Sequence, residues 1–234
     1  AGDINGDGFA DLAIGAPYAL SGTGFVALSF GAPGGLGALF MHWQQIVDLA
    51  EPGDWLGYSL AVADFNGDGF DEFACQAATI PRYTYVSINN KDGTFSLPSP
   101  WENVSNWCEL GLSTVQWGVT DANGDGKKDV WCHRGDQDGN KIWVGLSTGT
   151  GFTVSQWSDS WCWTSQDEIF SFGADVNGDG NGDAMCRSHQ QGGVGVLLSA
   201  GSGFYATTFP YFSNWCGYGM TMGPGDFNAD GKSD

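Results

Sequence analysis

The sequence predicts an all-β protein built from a repeated four-stranded antiparallel sheet, and three observations carry that prediction. A nine-residue acidic loop of the form D-x-N-G-D-G-x-x-D/E starts at Asp3, Asp64, Asp121, Asp175 and Asp226. The starts lie roughly 50–60 residues apart, a period that belongs to propeller or solenoid arrays. Within each period, short apolar runs separated by turn residues return at fixed places, about four to a repeat, which is the make-up of a β-propeller blade. Residues 1–234 read as one repeat array, with both ends cut within a repeat.

The elements follow in chain order. A strand precedes the loop, as in GYSLAVADF before Asn66 and EIFSFGADV before Asn177. The loop then joins this first strand to a second, read from DLAIGAP, DEFACQA, DVWCHRG and DAMCRSH; these runs are too short and too often bounded by Gly, Pro or polar residues for a helix. A third strand recurs as Phe25-Val-Ala-Leu-Ser29, Tyr85-Val-Ser-Ile-Asn89, Trp143-Val-Gly-Leu-Ser147 and Gly195-Val-Leu-Leu-Ser199. Turns (APGGL, NKDGTF, TGTGF, AGSGF) lead from it to a fourth segment that carries Trp43, Trp101 or Trp157.

The loops are candidate calcium sites. Positions 1, 3, 5 and 9 offer side-chain oxygens and position 7 a backbone carbonyl, a hard donor set at the spacing Ca²⁺ takes. The predicted ligands are Asp3, Asn5, Asp7, Phe9 and Asp11 in the first loop, then Asp64, Asn66, Asp68, Phe70 and Glu72 in the second. The third has Asp121, Asn123, Asp125, Lys127 and Asp129, and the fourth Asp175, Asn177, Asp179, Asn181 and Asp183. Asp226, Asn228, Asp230, Lys232 and Asp234 complete the fifth, for up to five Ca²⁺ in all. Gly8, Gly69, Gly126, Gly180 and Gly231 stand at position 6, where the chain turns sharply around an ion. An EF-hand would need a carboxylate at position 12, and Ile14, Cys75, Cys132 and Cys186 stand there instead. Without metal, each loop would crowd three carboxylates together uncompensated.

Charge fits the same account. Eight Lys plus Arg stand against 27 Asp plus Glu, a formal charge of -19, which five Ca²⁺ would bring to about -9. So acidic a chain offers no basic surface for nucleic acid or an anionic membrane face, and no apolar run reaches the ~18 residues of a membrane span.

These features resemble the FG-GAP and related VCBS repeats, the calcium-loop propeller repeats of integrin α-subunit heads and of many secreted proteins. Asp3 to Asp11 runs straight into Leu12-Ala-Ile-Gly-Ala-Pro17, and Leu56-Gly-Tyr-Ser-Leu-Ala61 is similar to the family's FGxSLA strand. The third and fourth repeats look more VCBS-like, with a Trp-Cys pair before the loop and a Cys after it. The resemblance implies a seven-bladed ring, which needs roughly 385 residues at about 55 per blade; this chain holds about four blade-lengths of it. Ala229 departs from the family's glycine at loop position 4 but leaves the fifth ligand set intact.

Cys75, Cys108, Cys132, Cys162, Cys186 and Cys216 recur at repeat-equivalent places and point to disulfides in an oxidising, extracellular compartment. Two connectivities fit: Cys75 with Cys108, Cys132 with Cys162 and Cys186 with Cys216, or Cys108 with Cys132 and Cys162 with Cys186. The first leaves no thiol unpaired and is the expected one. Asn103-Val-Ser105 is a glycosylation sequon. The periodic tryptophans Trp43, Trp101, Trp157, Trp107, Trp161 and Trp215 read as packing between blades, which leaves Trp117 and Trp163 as surface candidates for stacking on a sugar.

Catalytic chemistry is not expected. Gly145-Leu-Ser147-Thr-Gly149 matches the GxSxG pattern, but Ser147 aligns with Ser29, Asn89 and Ser199, and no helix follows to make a nucleophile elbow. His42, His133 and His189 lack metalloprotease spacing, and His133 reads as structural. The expected function is a secreted or cell-surface module for adhesion or assembly, with an extracellular protein or glycan ligand or self-assembly as its partner. A lectin and the non-catalytic propeller of a larger secreted enzyme are the alternatives.

Overall fold

A computed structural model describes residues 2–22, 24–37, 59–76, 83–92, 94–102, 107–108, 115–134, 141–158, 168–187 and 194–207, with 228 and 232. The segments expected around Trp43, Asn103, Trp161, Cys162, Trp163 and Cys216, the residues His42 and His189, and most of the fifth loop lie outside these residues.

The strands form on the short apolar runs bounded by turn residues. A two-stranded sheet pairs β1 (Leu12–Gly15) with β2 (Val26–Ser29), and a one-turn helix, α1 (Ala19–Gly22), lies between them in sequence. A second sheet has the order β3 (Leu60–Ala63), β4 (Glu72–Gln76), β5 (Thr84–Ser87) and β6 (Ser99–Pro100). A third follows the same meander with β7 (Val115–Thr120), β8 (Asp129–Arg134), β9 (Lys141–Ser147) and β10 (Phe152–Ser158). The fourth repeats it with β11 (Glu168–Ala174), β12 (Asp183–Arg187), β13 (Val194–Ser199) and β14 (Phe204–Thr207). β1–β2, β3–β4–β5–β6, β7–β8–β9 and β11–β12–β13–β14 pair antiparallel, and in each four-stranded sheet the acidic loop joins the first strand to the second. These are β-propeller blades.

The chain divides into two compact units, Ala1–Gly111 with Ser147–Phe152, and Leu112–Leu146 with Thr153–Asp234. In the first, Ile4, Val26, Leu28, Phe73 and Phe95 make a buried cluster, with the Phe73 and Phe95 rings 4.5 Å apart. Phe65, fully buried, meets Trp101 and Phe152 edge-on. In the second, Ala122, Trp131, Ile142, Val144, Trp157, Ala184 and Leu197 form the core. Trp101, Trp107 and Trp157 are all buried, as packing between blades requires.

One expectation is corrected. Cys75 is a free thiol, whereas Cys108 and Cys132 are both disulfide-bonded, so the pairing of Cys75 with Cys108 does not form. Cys75 sits on β4 in register with Leu60 and Tyr85, and burial pushes its thiol up to about 12, which keeps it protonated and unreactive. Trp117 is half-buried on β7, with its indole nitrogen sealed from solvent, because β7 lies beside Cys132 of β8 and in the same row as Trp143 of β9.

Glu102 is a buried acid of the first unit that lies outside the acidic loops. It is 4% exposed and accepts from the Thr84 amide and, at 3.3 Å, from the Trp107 indole, while its second oxygen has no partner. Burial pushes its carboxyl up to about 7, against those two hydrogen bonds. An acid with a folded pKa above its ordinary 4.5 costs nothing while protonated in both states. The cost grows as pH rises above about 4.5 and is complete above about 7, at roughly 3 kcal/mol. Glu102→Gln is therefore expected to raise the melting temperature at about pH 8 and to leave it unchanged near pH 4.5; equal shifts at both would show that burial does not hold the proton there.

Candidate metal centres

Each described loop folds by the same local hydrogen bonds. In the first, the Asp7 amide donates to Asp3 Oδ1 and Asn5 Oδ1, both at 3.0 Å, the Gly8 amide to Asp3 Oδ2 at 2.8 Å, and the Phe9 amide to Asp7 Oδ1 at 2.9 Å. The second loop repeats this with Asp68, Gly69 and Phe70 as donors. The third does so with Asp125, Gly126 and Lys127, and the fourth with Asp179, Gly180 and Asn181. The oxygens of positions 1 and 3 thus converge on the position-5 amide in four independent copies. Gly8, Gly69, Gly126 and Gly180 have φ between 85° and 91°, and a Cβ there would meet nothing within 4 Å. Glycine is required at position 6 by the left-handed backbone, not by crowding.

The ninth residue braces the loop from below. Asp11, Glu72, Asp129 and Asp183 are at most 1% exposed. Each accepts the amide of loop position 2: Ile4 to Asp11 at 2.7 Å, Phe65 to Glu72 at 2.9 Å, Ala122 to Asp129 at 2.9 Å and Val176 to Asp183 at 2.9 Å. Asp11 and Asp183 also accept from the third strand's end, through Gly31 at 2.6 Å and Ser199 at 2.8 Å. The extra methylene of Glu72 lets it take the Asn66 side chain at 3.1 Å as well. Burial pushes Glu72 up to about 7 and raises Asp183, which metal binding would reverse.

Two lysines lie against these carboxylates. Lys91 approaches Asp68 at 3.1 Å and stands 5.1 Å from the Phe70 ring centroid, and Lys127 reaches Asp125 of its own loop at 2.7 Å. Burial alone would raise Asp68 and Asp125; the lysines and backbone amides outweigh it and hold both below the usual carboxylate range. Among the described residues, no three acid, His or Cys side chains are gathered tightly enough to hold a metal outright. The donor chemistry nevertheless fits calcium: hard side-chain oxygens at positions 1, 3 and 5, a backbone carbonyl at position 7 and a buried carboxylate at position 9. In the fifth loop, Asn228 and Lys232 are exposed, and its other candidate ligands lie outside the described residues.

Position 2, apolar in every copy (Ile4, Phe65, Ala122, Val176, Phe227), is a further anchor that the ligand pattern does not mark. Ile4, Phe65 and Ala122 are buried, and their carbonyls are held by the residue that ends a third strand. Asn89 Nδ2 donates to Ile4 O at 2.5 Å, Ser147 Oγ to Phe65 O at 2.6 Å and Ser199 Oγ to Ala122 O at 2.6 Å. Ser147 also accepts from the Gly149 amide at 3.1 Å, so this buried hydroxyl of the GxSxG sequence is committed to structure. Ser147→Ala is expected to cost about 1–3 kcal/mol by stranding the Phe65 carbonyl. Covalent labelling of Ser147 by a serine-hydrolase probe would contradict that assignment. His133 is likewise buried, on β8.

The sheets and their loops define an array of β-propeller blades. Residues 1–29 and 56–78 match the FG-GAP repeat, and the chain therefore carries FG-GAP repeats. A curated relative is the phosphatidylinositol-glycan-specific phospholipase D of Mus musculus, 32% identical over 144 residues, which are 55% of this chain and 17% of that protein. Among solved structures, the chain is similar to an Agrocybe aegerita lectin studied for specific recognition of non-reducing terminal N-acetylglucosamine. The TM-score is 0.68 at 21% identity, over 96% of this chain and 59% of the lectin. The chain thus spans under a fifth of the phospholipase and about three-fifths of the lectin. Among the described residues, no helix is long and apolar enough to cross a membrane.

Proposed function

We propose that the chain is a calcium-stabilised, non-catalytic propeller module of an extracellular protein, serving adhesion or assembly. The observation that carries this reading is the fourfold repetition of one oxygen-lined loop geometry, with converging donors at positions 1 and 3 and a buried acid at position 9. Asp3, Asn5, Asp7, the Phe9 carbonyl and Asp11, with their equivalents in the other loops, would hold the ions. Calcium supplies positive charge to loops that otherwise confine three carboxylates each, and so fixes the strands on either side. The disulfide-bonded Cys108 and Cys132 support an oxidising compartment. The sequence array 1–234, its seven-bladed context and glycosylation at Asn103 belong to this proposal.

A second reading, the non-catalytic propeller of a larger secreted enzyme, is favoured by the likeness to the phospholipase D. A glycan ligand is the third, with the lectin as its fold precedent. The discriminating experiment presents the purified chain, with and without calcium, to protein-coated surfaces and to a glycan array. Adhesion to protein with a blank array is expected. Calcium-dependent retention on glycans would move the lectin reading to first place, and hydrolysis of a phosphatidylinositol-glycan by this chain alone would contradict a non-catalytic role.

A further inference from the structure

Neighbouring loops of one unit touch through contacts that recur. In the first unit, the buried Asn89 amide donates to Ile4 O of the first loop and, at 3.1 Å, to Asp71 O of the second. A Cβ on Gly6, position 4 of the first loop, would run into the ring of Phe70, position 7 of the second. In the second unit, the same relation places Asn181 Oδ1 at 2.9 Å from a Cβ on Gly124, and Lys232 Cε at 2.6 Å from one on Gly178. The Gly182 amide of the fourth loop also donates to the carbonyl of Asp121, the first ligand position of the third, at 2.7 Å. These position-4 glycines have φ of 71°, 71° and 78°, so both backbone and neighbour forbid a side chain.

The position-7 residue therefore has two tasks. Its carbonyl is the expected ligand of its own loop, and its side chain lies against position 4 of the preceding one. We propose that adjacent loops of one unit bind calcium with positive cooperativity, because an ion that fixes position 7 of the later loop seats that side chain on position 4 of the earlier. This rests on the calcium reading above. The coupling is reciprocal: an ion in the earlier loop fixes the glycine surface on which the later side chain rests, and so favours occupancy of the later loop by the same factor.

The test follows the position-6 glycine amides by two-dimensional nitrogen–proton NMR during a calcium titration of the whole chain, Gly8 reporting the first loop and Gly69 the second. In the wild type, Gly8 and Gly69 are expected to respond at a shared midpoint with a Hill slope above one. Asp64→Asn with Asp68→Asn, which disables the second loop, should move the Gly8 midpoint to about tenfold higher calcium. Asn89→Ala should bring the slopes toward one while both glycines still respond. Should the doubly substituted chain not fold, the wild-type slopes and Asn89→Ala decide the matter. Separate midpoints with slopes of one in the wild type, or a Gly8 midpoint unmoved by loss of the second loop, would overturn the coupling and leave calcium binding standing. No response at Gly8, Gly69, Gly126 or Gly180 up to about 10 mM calcium, well above the millimolar range of extracellular modules, would overturn both.

Discussion

Removal of calcium is expected to lower the melting temperature by on the order of 10–20 °C. A ligand that binds only the native state stabilises it by about 1.4 kcal/mol when present at ten times its dissociation constant. At extracellular affinities of roughly 10⁻⁴ to 10⁻³ M, the loops together would contribute roughly 6 kcal/mol, a large share of the 5–15 kcal/mol typical of a folded protein. The loops lie directly between paired strands, β3 with β4, β7 with β8 and β11 with β12. Losing the ions restores repulsion among carboxylates at those strand ends, and buried Glu72, Asp129 and Asp183 transmit it to the blade interior. Thermal unfolding in chelator and in millimolar calcium measures the effect, and coincident curves would contradict it.

Trp157→Ala is expected to destabilise the second unit by about 3–5 kcal/mol. Trp157 is 7% exposed, packs in the core with Trp131, Ile142 and Val144, and meets the Phe204 ring at 5.1 Å in an edge-on contact. Its indole nitrogen donates to Ser155 at 3.0 Å, so truncation removes a hydrogen bond as well as one of the two indoles of the cluster. Tyr205, beside Phe204 on β14 but 49% exposed, serves as the contrast. Tyr205→Ala should change stability by about 0.5 kcal/mol or less. Denaturant unfolding monitored by tryptophan fluorescence would report both, and a loss under about 1 kcal/mol for Trp157→Ala would contradict the core assignment.

Much of this was legible in the sequence because its signals are local. The acidic loops fix their own turns through Asx-type hydrogen bonds and left-handed glycines, and each apolar run is short and bounded by turn residues. β4, β8 and β12 accordingly form within the runs expected of them, and β5, β9 and β13 overlap theirs but start one or two residues earlier. What sequence did not give depends on distant partners. The paired role of Ser147 and Asn89 needed the carbonyls of Phe65 and Ile4, 82 and 85 residues away along the chain. Cys75 shares its repeat position with Cys132, yet a disulfide needs close Cβ atoms, which repeat position does not guarantee. Trp117 lacks the spacing of the other tryptophans, but its burial is set by the strands beside it.

Calcium bound per chain, measured by equilibrium dialysis against millimolar calcium with metal analysis of the protein, tests the central claim most directly. Four or five ions per chain are expected, one for each acidic loop. Fewer than one ion per chain would contradict the claim and leave the repeated loops as turns closed by their own amides.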